Sequence, residues 1–219
     1  YLNDAYTFAL STGTWLKIKH GPSARQYHAM TSLENGKLLM YSGYDTNYKK
    51  LNDAYIFAQE TGTWTRTKDG ASPRKWHAMS SLGNDGRVVM YGGTDLIGNH
   101  LNDAYIFSLP IDAKTKEKTG TWIKAADGPR ARQRHAMCSL GNDGVLMYGG
   151  FDYPNYLNDV YIFTLSTSEE TGEETGTWIK AADGPSARQY HAMSSLGNGQ
   201  VLMYGGFDGS NNAFNDAHI

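Results

Sequence analysis

Short apolar runs alternate with clusters of Gly, Asn and Asp along the whole chain. Arg87-Val-Val-Met-Tyr91 and Ala54-Tyr-Ile-Phe57 are apolar without alternation, the pattern of strands buried on both faces. Thr63-Trp-Thr-Arg-Thr-Lys68 instead sets one large ring among polar residues, which predicts an outer, solvated edge strand. His77-Ala-Met-Ser-Ser-Leu82 runs into Gly83-Asn-Asp-Gly86, whose residue types tolerate positive φ, so a tight hairpin is expected before Arg87. Helical periodicity is missing. Each unit therefore reads as four short strands: a (as His77–Leu82), b (Arg87–Tyr91), c (Ala54–Phe57) and d (Thr63–Lys68).

The same landmarks recur. Leu-Asn-Asp begins at Leu2, Leu51, Leu101 and Leu157, with a variant at Phe214, giving spacings of 49, 50, 56 and 57 residues. Thr-Gly-Thr-Trp ends at Trp15, Trp64, Trp122 and Trp178, and Arg-x-x-His-Ala-Met begins at Arg25, Arg74, Arg132 and Arg188. An apolar run ending in Tyr-Gly-Gly, or once in Tyr-Ser42-Gly43, follows each His. Repeats of this length mark a propeller or a solenoid. Sheets that are apolar on both faces can bury both only by stacking around an axis, which favours the propeller.

These residues resemble the kelch repeat family: a strand ending in Gly-Gly, an Asn-Asp-x-Tyr strand, a separated Trp, and Arg-x-x-His before the next unit. The resemblance covers essentially all 219 residues. It implies an all-β, kelch-type β-propeller of four-stranded antiparallel blades, with units at about 2–50, 51–100, 101–156 and 157–213 and a partial fifth at 214–219. Five c strands against four of each other type suggest a segment of a longer propeller.

Composition narrows the function. The 20 Lys and Arg against 22 Asp and Glu give a formal charge of -2, so no field of one sign is available to steer nucleic acid. No apolar run approaches the roughly 20 residues of a membrane-spanning helix. Cys138 is the single cysteine and no Asn-x-Ser/Thr sequon occurs; both favour a reducing, cytoplasmic setting, while a chain starting at Tyr1 leaves localisation open.

Recurring residues are explained first by what every blade needs. The repeated Trp and Tyr rings are expected to fill space between blades. His28, His77, His135 and His191 could in principle surround a metal near the axis, but each is expected, with the Arg three residues before it, to satisfy buried backbone groups of its own blade. Cys138 reads as a small buried thiol. The wider kelch superfamily includes copper radical oxidases similar to galactose oxidase, and their constellation of ligands is not reproduced here. Neither a catalytic residue, a cofactor nor a metal is expected.

The places where the repeats disagree are different. The loops between strands b and c hold aromatic and polar residues, among them Tyr44, Tyr48, Phe151 and Tyr153, and the residue before each His varies as Tyr27, Trp76, Arg134 and Tyr190. The b–c loops and d–a connections share one face of a propeller. Tyr, Trp and Arg are the residues that dominate binding interfaces, so Tyr44, Tyr48, Trp76, Arg134, Phe151, Tyr153 and Tyr190 are the expected contacts of a protein partner, in a scaffold without enzymatic activity. A glycan held by the loop aromatics, or a metal-dependent oxidase or lyase, are the alternatives. On the opposite face, Asp112–Lys118 and Ser166–Glu174 are expected to be charged, solvated tongues.

Overall fold

A computed structural model of the protein describes residues 2–18, 21–83, 85–110, 120–141, 144–167, 174–210 and 212–219. Its apolar runs form strands in five successive antiparallel sheets. The first holds β1 (Ala5–Ala9) and β2 (Thr14–Ile18). The second holds β3 (Arg25–Gln26), β4 (Ala29–Ser32), β5 (Lys37–Asp45), β6 (Lys50–Ala58) and β7 (Thr63–Thr67), with β3 and β4 both pairing along β5. The third is β8 (Ala78–Leu82), β9 (Arg87–Tyr91), β10 (Ala104–Ser108) and β11 (Thr121–Lys124); the fourth is β12 (Ala136–Gly141), β13 (Gly144–Asp152), β14 (Asn155–Thr167) and β15 (Glu174–Lys180). The fifth is β16 (Ala192–Gly197), β17 (Gln200–Tyr204) and β18 (Ala217–His218). The fold is a β-propeller of four-stranded antiparallel blades, and the expected strands a, b, c and d fall on β8, β9, β6 and β7. Among the described residues no helix is long and apolar enough to cross a membrane.

The core lies between blades, because each sheet has two apolar faces to cover. Leu82, Val89, Tyr91 and Ile106 of the third blade close on Met137, Val145, Met147 and Phe163 of the fourth. Leu39 and Tyr41 of the second close likewise on Met79, Val88 and Phe107 of the third. Each large side chain buried in this way contributes about 1.5–3 kcal/mol. The repeated tryptophans do fill these seams: the Trp122 ring is 4.8 Å from Tyr41 and 5.1 Å from Phe107, and Trp178 is 4.8 Å from Tyr91 and 5.0 Å from Phe163. On the first sheet Trp15 is 67% exposed and packs on Phe8 at 5.2 Å.

Each seam tyrosine lies against a glycine of the next blade. A Cβ on Gly128 would stand 2.2 Å from the Tyr91 ring. That ring cannot retreat easily, since its hydroxyl donates to the Arg130 carbonyl at 2.8 Å. Gly128→Ala is therefore expected to cost about 1–3 kcal/mol by overpacking, seen as a lower urea midpoint at unchanged slope. An unchanged midpoint would show that the seam yields to an extra methyl group.

The Arg-x-x-His motif locks the blades. Arg74, fully buried, forms a two-pronged pair with Asp103 of the Leu-Asn-Asp motif at 2.7 and 2.8 Å, and donates to the Gly92 carbonyl at 2.9 Å and the Ser72 hydroxyl at 3.0 Å. Its own backbone reaches the preceding blade: Arg74 N–H donates to the Leu51 carbonyl, and the Arg74 carbonyl accepts from Gly43 N–H. Arg25–Asp53, Arg132–Asp159 and Arg188–Asp216 repeat the side-chain clamp.

Arginine satisfies buried carbonyls as expected. The rings of His77, His135 and His191 stand edge-on to Tyr41, Tyr91 and Tyr148 at 5.4, 5.4 and 5.1 Å, and each keeps a weak contact with the backbone of that same tyrosine, outside ideal hydrogen-bond geometry. One expectation needs correction. The second tongue is not a free loop at its base, because Ser166 pairs with Thr175 and Thr167 with Glu174 in an extension of the β14–β15 ladder. Glu174 accepts there from Arg87 at 2.8 Å. Residues 168–173 and the first tongue, 111–119, lie outside the described residues.

Candidate functional site

The turn before each inner strand forces one non-glycine residue into the left-handed region: Tyr27, Trp76, Arg134 and Tyr190 have φ of 59, 58, 59 and 59°. Such a conformation costs about 1–2 kcal/mol for a side chain with a Cβ and persists only where the surroundings impose it. Here the turns are tied across blades, Arg134 N–H donating to the Trp76 carbonyl and Tyr190 N–H to the Arg134 carbonyl, both at 3.0 Å.

That arrangement brings the four variable side chains into one ladder. The Tyr27 and Trp76 rings are 5.0 Å apart, and the Arg134 guanidinium lies 4.2 Å from the Trp76 ring centre and 4.9 Å from that of Tyr190. Lys75 extends it outward, its ammonium 3.8 Å from the Trp76 ring centre and 4.9 Å from that of Tyr44. Tyr44 packs in turn on Tyr48, 71% exposed, at 5.8 Å. Arg134 is steadied by the Gln189 side-chain carbonyl at 3.0 Å. Five of the seven expected contacts, Tyr44, Tyr48, Trp76, Arg134 and Tyr190, are thus one continuous group.

Phe151 and Tyr153 form a second group beside it. The Phe151 ring packs on Tyr153, Tyr156 and His100 at 6.2, 4.9 and 5.9 Å, and Tyr153 is 79% exposed. Gln133 connects the groups: its backbone pairs with Phe151 in both directions, and it precedes Arg134. A polar relay runs beneath. Thr94 Oγ1 donates to Gln133 Oε1 at 2.7 Å, Gln133 Nε2 donates to His100 Nε2 at 3.0 Å, and His100 Nδ1 donates to Asp152 at 3.0 Å. This donor order, inferred from the network, makes His100 the Nδ1–H tautomer. Arg130 Nε donates to the other Asp152 oxygen at 2.7 Å. Burial opposes ionisation of Asp152, but the bonds from Arg130 and His100 outweigh it and hold its pKa below the ordinary value.

Sequence reasoning missed several participants. Lys75 stands where the other repeats have Gln26, Gln133 and Gln189, and Arg130 where they have Ser23, Ser72 and Ser186, so the comparison of repeats that picked out Trp76 applied equally to them. Leu96 and Ile97, 61% and 85% exposed, form an apolar tip on the third blade's b–c loop. The Asp95 carboxylate holds that tip rigid by accepting from the amides of Ile97, Gly98 and Asn99.

The repeated histidines contribute no comparable surface. Burial drives the pKa of His77 and His135 well below 6.5, with the adjacent Arg74 and Arg132 guanidinium groups adding to it. Among the described residues no group of three or more His, Cys, Asp or Glu side chains is placed to hold a metal ion. Cys138 is buried, and burial raises its thiol pKa.

A family model described as the KLHDC2/KLHL20/DRC7 Kelch-repeats domain matches residues 1–117 and 67–219, which together span the chain. This chain belongs to the kelch-repeat family. Relatives of the kelch chain include the tRNA wybutosine-synthesizing protein 4 of Candida albicans, 34% identical over 40% of this chain. Adagio protein 3 of Arabidopsis thaliana is 31% identical over 42%, and Kelch domain-containing protein 1 of Mus musculus is 26% identical over 47%. The chain covers 12%, 15% and 25% of those three proteins. A solved structure, that of YjhT, superposes with a TM-score of 0.72 over 98% of this chain and 71% of its own, at 15% identity, a likeness of fold.

Proposed function

We propose that this kelch propeller is a non-catalytic scaffold whose b–c and d–a face docks a protein partner. The observation that carries the reading is the ladder Tyr27–Trp76–Arg134–Tyr190, in which four strained turns present the side chains that differ between otherwise matching blades. Membership of the kelch family supports protein interaction in general terms. Rings and guanidinium groups already stacked on one another lose little freedom on binding, so their contact area converts efficiently into affinity.

Cross-linking and mass spectrometry from the native source would name the partner. Against it, Trp76→Ala or Tyr153→Ala is expected to weaken binding by about 2 kcal/mol or more, while shortening either tongue on the opposite face leaves affinity nearly unchanged. Folding of each variant is checked by circular dichroism. Loss of binding on tongue deletion, with normal binding by folded Trp76→Ala, Tyr44→Ala and Tyr153→Ala proteins, would place the partner on the other face; selective binding on a glycan array without a protein partner would replace the reading by carbohydrate recognition.

A further inference from the structure

Three seams of the propeller repeat one joint, and a fourth stands half-built. In each seam a tyrosine of strand b enters the turn that follows its own blade: Tyr41, Tyr91 and Tyr148 lie against Gly70, Gly128 and Gly184, where an added Cβ would stand 2.4, 2.2 and 2.2 Å from the ring. Their hydroxyls donate to the carbonyls of Ser72, Arg130 and Ser186, and their rings meet His77, His135 and His191. All three tyrosines are buried.

The turn after the first sheet has the same parts without the tyrosine. Gly21, Ser23 and His28 occupy the corresponding places and, with Trp64, line a cavity of about 260 Å³. Trp122 and Trp178 each pack on a seam tyrosine, whereas among the described residues Trp64 packs on Phe57 of its own blade. The backbone beside the cavity is open as well. Among the described residues β1 pairs with β2 and with no other strand, where the complete blades hold strand b on that edge of strand c. Asp4 completes the set. The repeated arginines hold Asp53, Asp103, Asp159 and Asp216, which leaves the exposed aspartate of the first Leu-Asn-Asp motif without one.

The fifth sheet carries the missing tyrosine. Tyr204 ends β17 in a Val201-Leu-Met-Tyr204 run identical to Val145-Leu-Met-Tyr148, yet it is 56% exposed. The strand c beside it is weakly held: β18 makes two residue pairs with β17, Met203 with His218 and Tyr204 with Ala217, and Asp216 is the most exposed of the four clamp aspartates. In the place of β18, β1 would bring Ala5 opposite Tyr204 and continue to Ala9 opposite Gln200, the register that sets Ala54 against Tyr41 and Ala58 against Lys37. Within the chain β17 pairs with β16 and β18 and not with β1, so the two halves of this joint meet between molecules.

We infer that β1–β2 of one molecule adds to β16–β17 of a second copy of this chain, completing a four-stranded blade shared by the two. Tyr204 of one copy then enters the Gly21–Trp64 cavity of the other and its hydroxyl donates to the Ser23 carbonyl. Arg188 exchanges Asp216 for Asp4 of the added strand, and β18 is released. Strand addition of this kind draws affinity from main-chain hydrogen bonds at an open edge and specificity from the pocket that takes a side chain.

The test is the mass of the 219-residue chain in solution, followed by sedimentation over a range of concentrations. The mass is expected to rise from 24.2 kDa toward that of two chains. Tyr204→Ala and Asp4→Asn are expected to weaken association roughly tenfold or more; Asp4 is exposed, so its variant keeps the fold, as circular dichroism would verify. Asp216→Asn is expected to strengthen association, because β18 loses its hold on Arg188. In a Cys138→Ser background, Thr7→Cys molecules mixed with Leu202→Cys molecules are expected to form a disulfide-linked pair, since those positions stand opposite one another in the shared blade. A single-chain mass at every concentration overturns the inference. Association indifferent to Asp4→Asn and Asp216→Asn does so too, as it would reflect contact between apolar faces alone. A disulfide formed within one chain of the Thr7→Cys, Leu202→Cys double variant would equally overturn it, since the chain would then close on itself.

Discussion

Arg74→Ala is expected to lower the unfolding free energy by about 3–5 kcal/mol, the usual cost of leaving one member of a buried ion pair without its partner. Against a total of about 5–15 kcal/mol for a domain, such a loss is severe. The loss goes beyond Asp103, since the Gly92 and Ser72 carbonyls also depend on the same guanidinium. Lysine offers a single point charge where a planar fork is needed, so Arg74→Lys should recover only a minor part. The exposed pair Arg66–Asp69, side chains 59% and 41% exposed, is the control; its removal should change little. Urea unfolding followed by circular dichroism makes the comparison. Equal small effects at Arg74 and Arg66 would show that the clamp does not hold the blade.

The second large effect is acid sensitivity. Burial first, and then the Arg188 guanidinium, lower the His191 pKa from 6.5 to about 4. His77 and His135 are shifted in the same direction by the same causes. Because the folded-state pKa lies below the unfolded one, the unfolded chain binds more protons between them. The stability is therefore fully present above pH 6.5 and lost as pH falls from there toward about 4. His191 alone is expected to account for about 3 kcal/mol across that interval, and the other two histidines add to it. Urea midpoints between pH 7.5 and pH 4 should decline throughout this window, with a shallower slope in His191→Gln. A flat profile above pH 4.5 would show that the imidazoles charge without penalty.

Different parts of this protein were legible to different degrees. Blade strands could be read directly, because burial on both faces writes itself as unbroken apolar runs and hairpins demand glycine and asparagine. Position β9, Arg87–Tyr91, matches the expected strand b, whereas strand c extends past the apolar run Ala54–Phe57 to Lys50–Ala58, since backbone pairing continues through polar residues that the apolar pattern does not mark. The repeated histidine keeps a weak contact with the backbone of the facing tyrosine, while its ring packs as an edge against that tyrosine's ring, a use that the sequence pattern does not mark. Comparing repeats found Trp76, Arg134 and Tyr190 but passed over Lys75 and Arg130, which vary in the same way one residue before Trp76 and four before Arg134.

The sequence by itself determined the fold and the side chains that distinguish one blade from another, because these depend on local pattern and on contacts made identically in every unit. Tertiary structure alone decided that Trp76 receives a cation from its own blade and another from the next, that Gln133 joins Thr94 to His100, and that Asp152 serves Arg130 while Asp95 caps its own loop. The contacts of Trp76 with Arg134 and of Gln133 with Thr94 and His100 join residues of different repeats, 58, 39 and 33 positions apart in the chain. Their distances follow from the angle between blades and from left-handed turns that are held by inter-blade hydrogen bonds, and neither quantity is written in the spacing of residues within a single repeat.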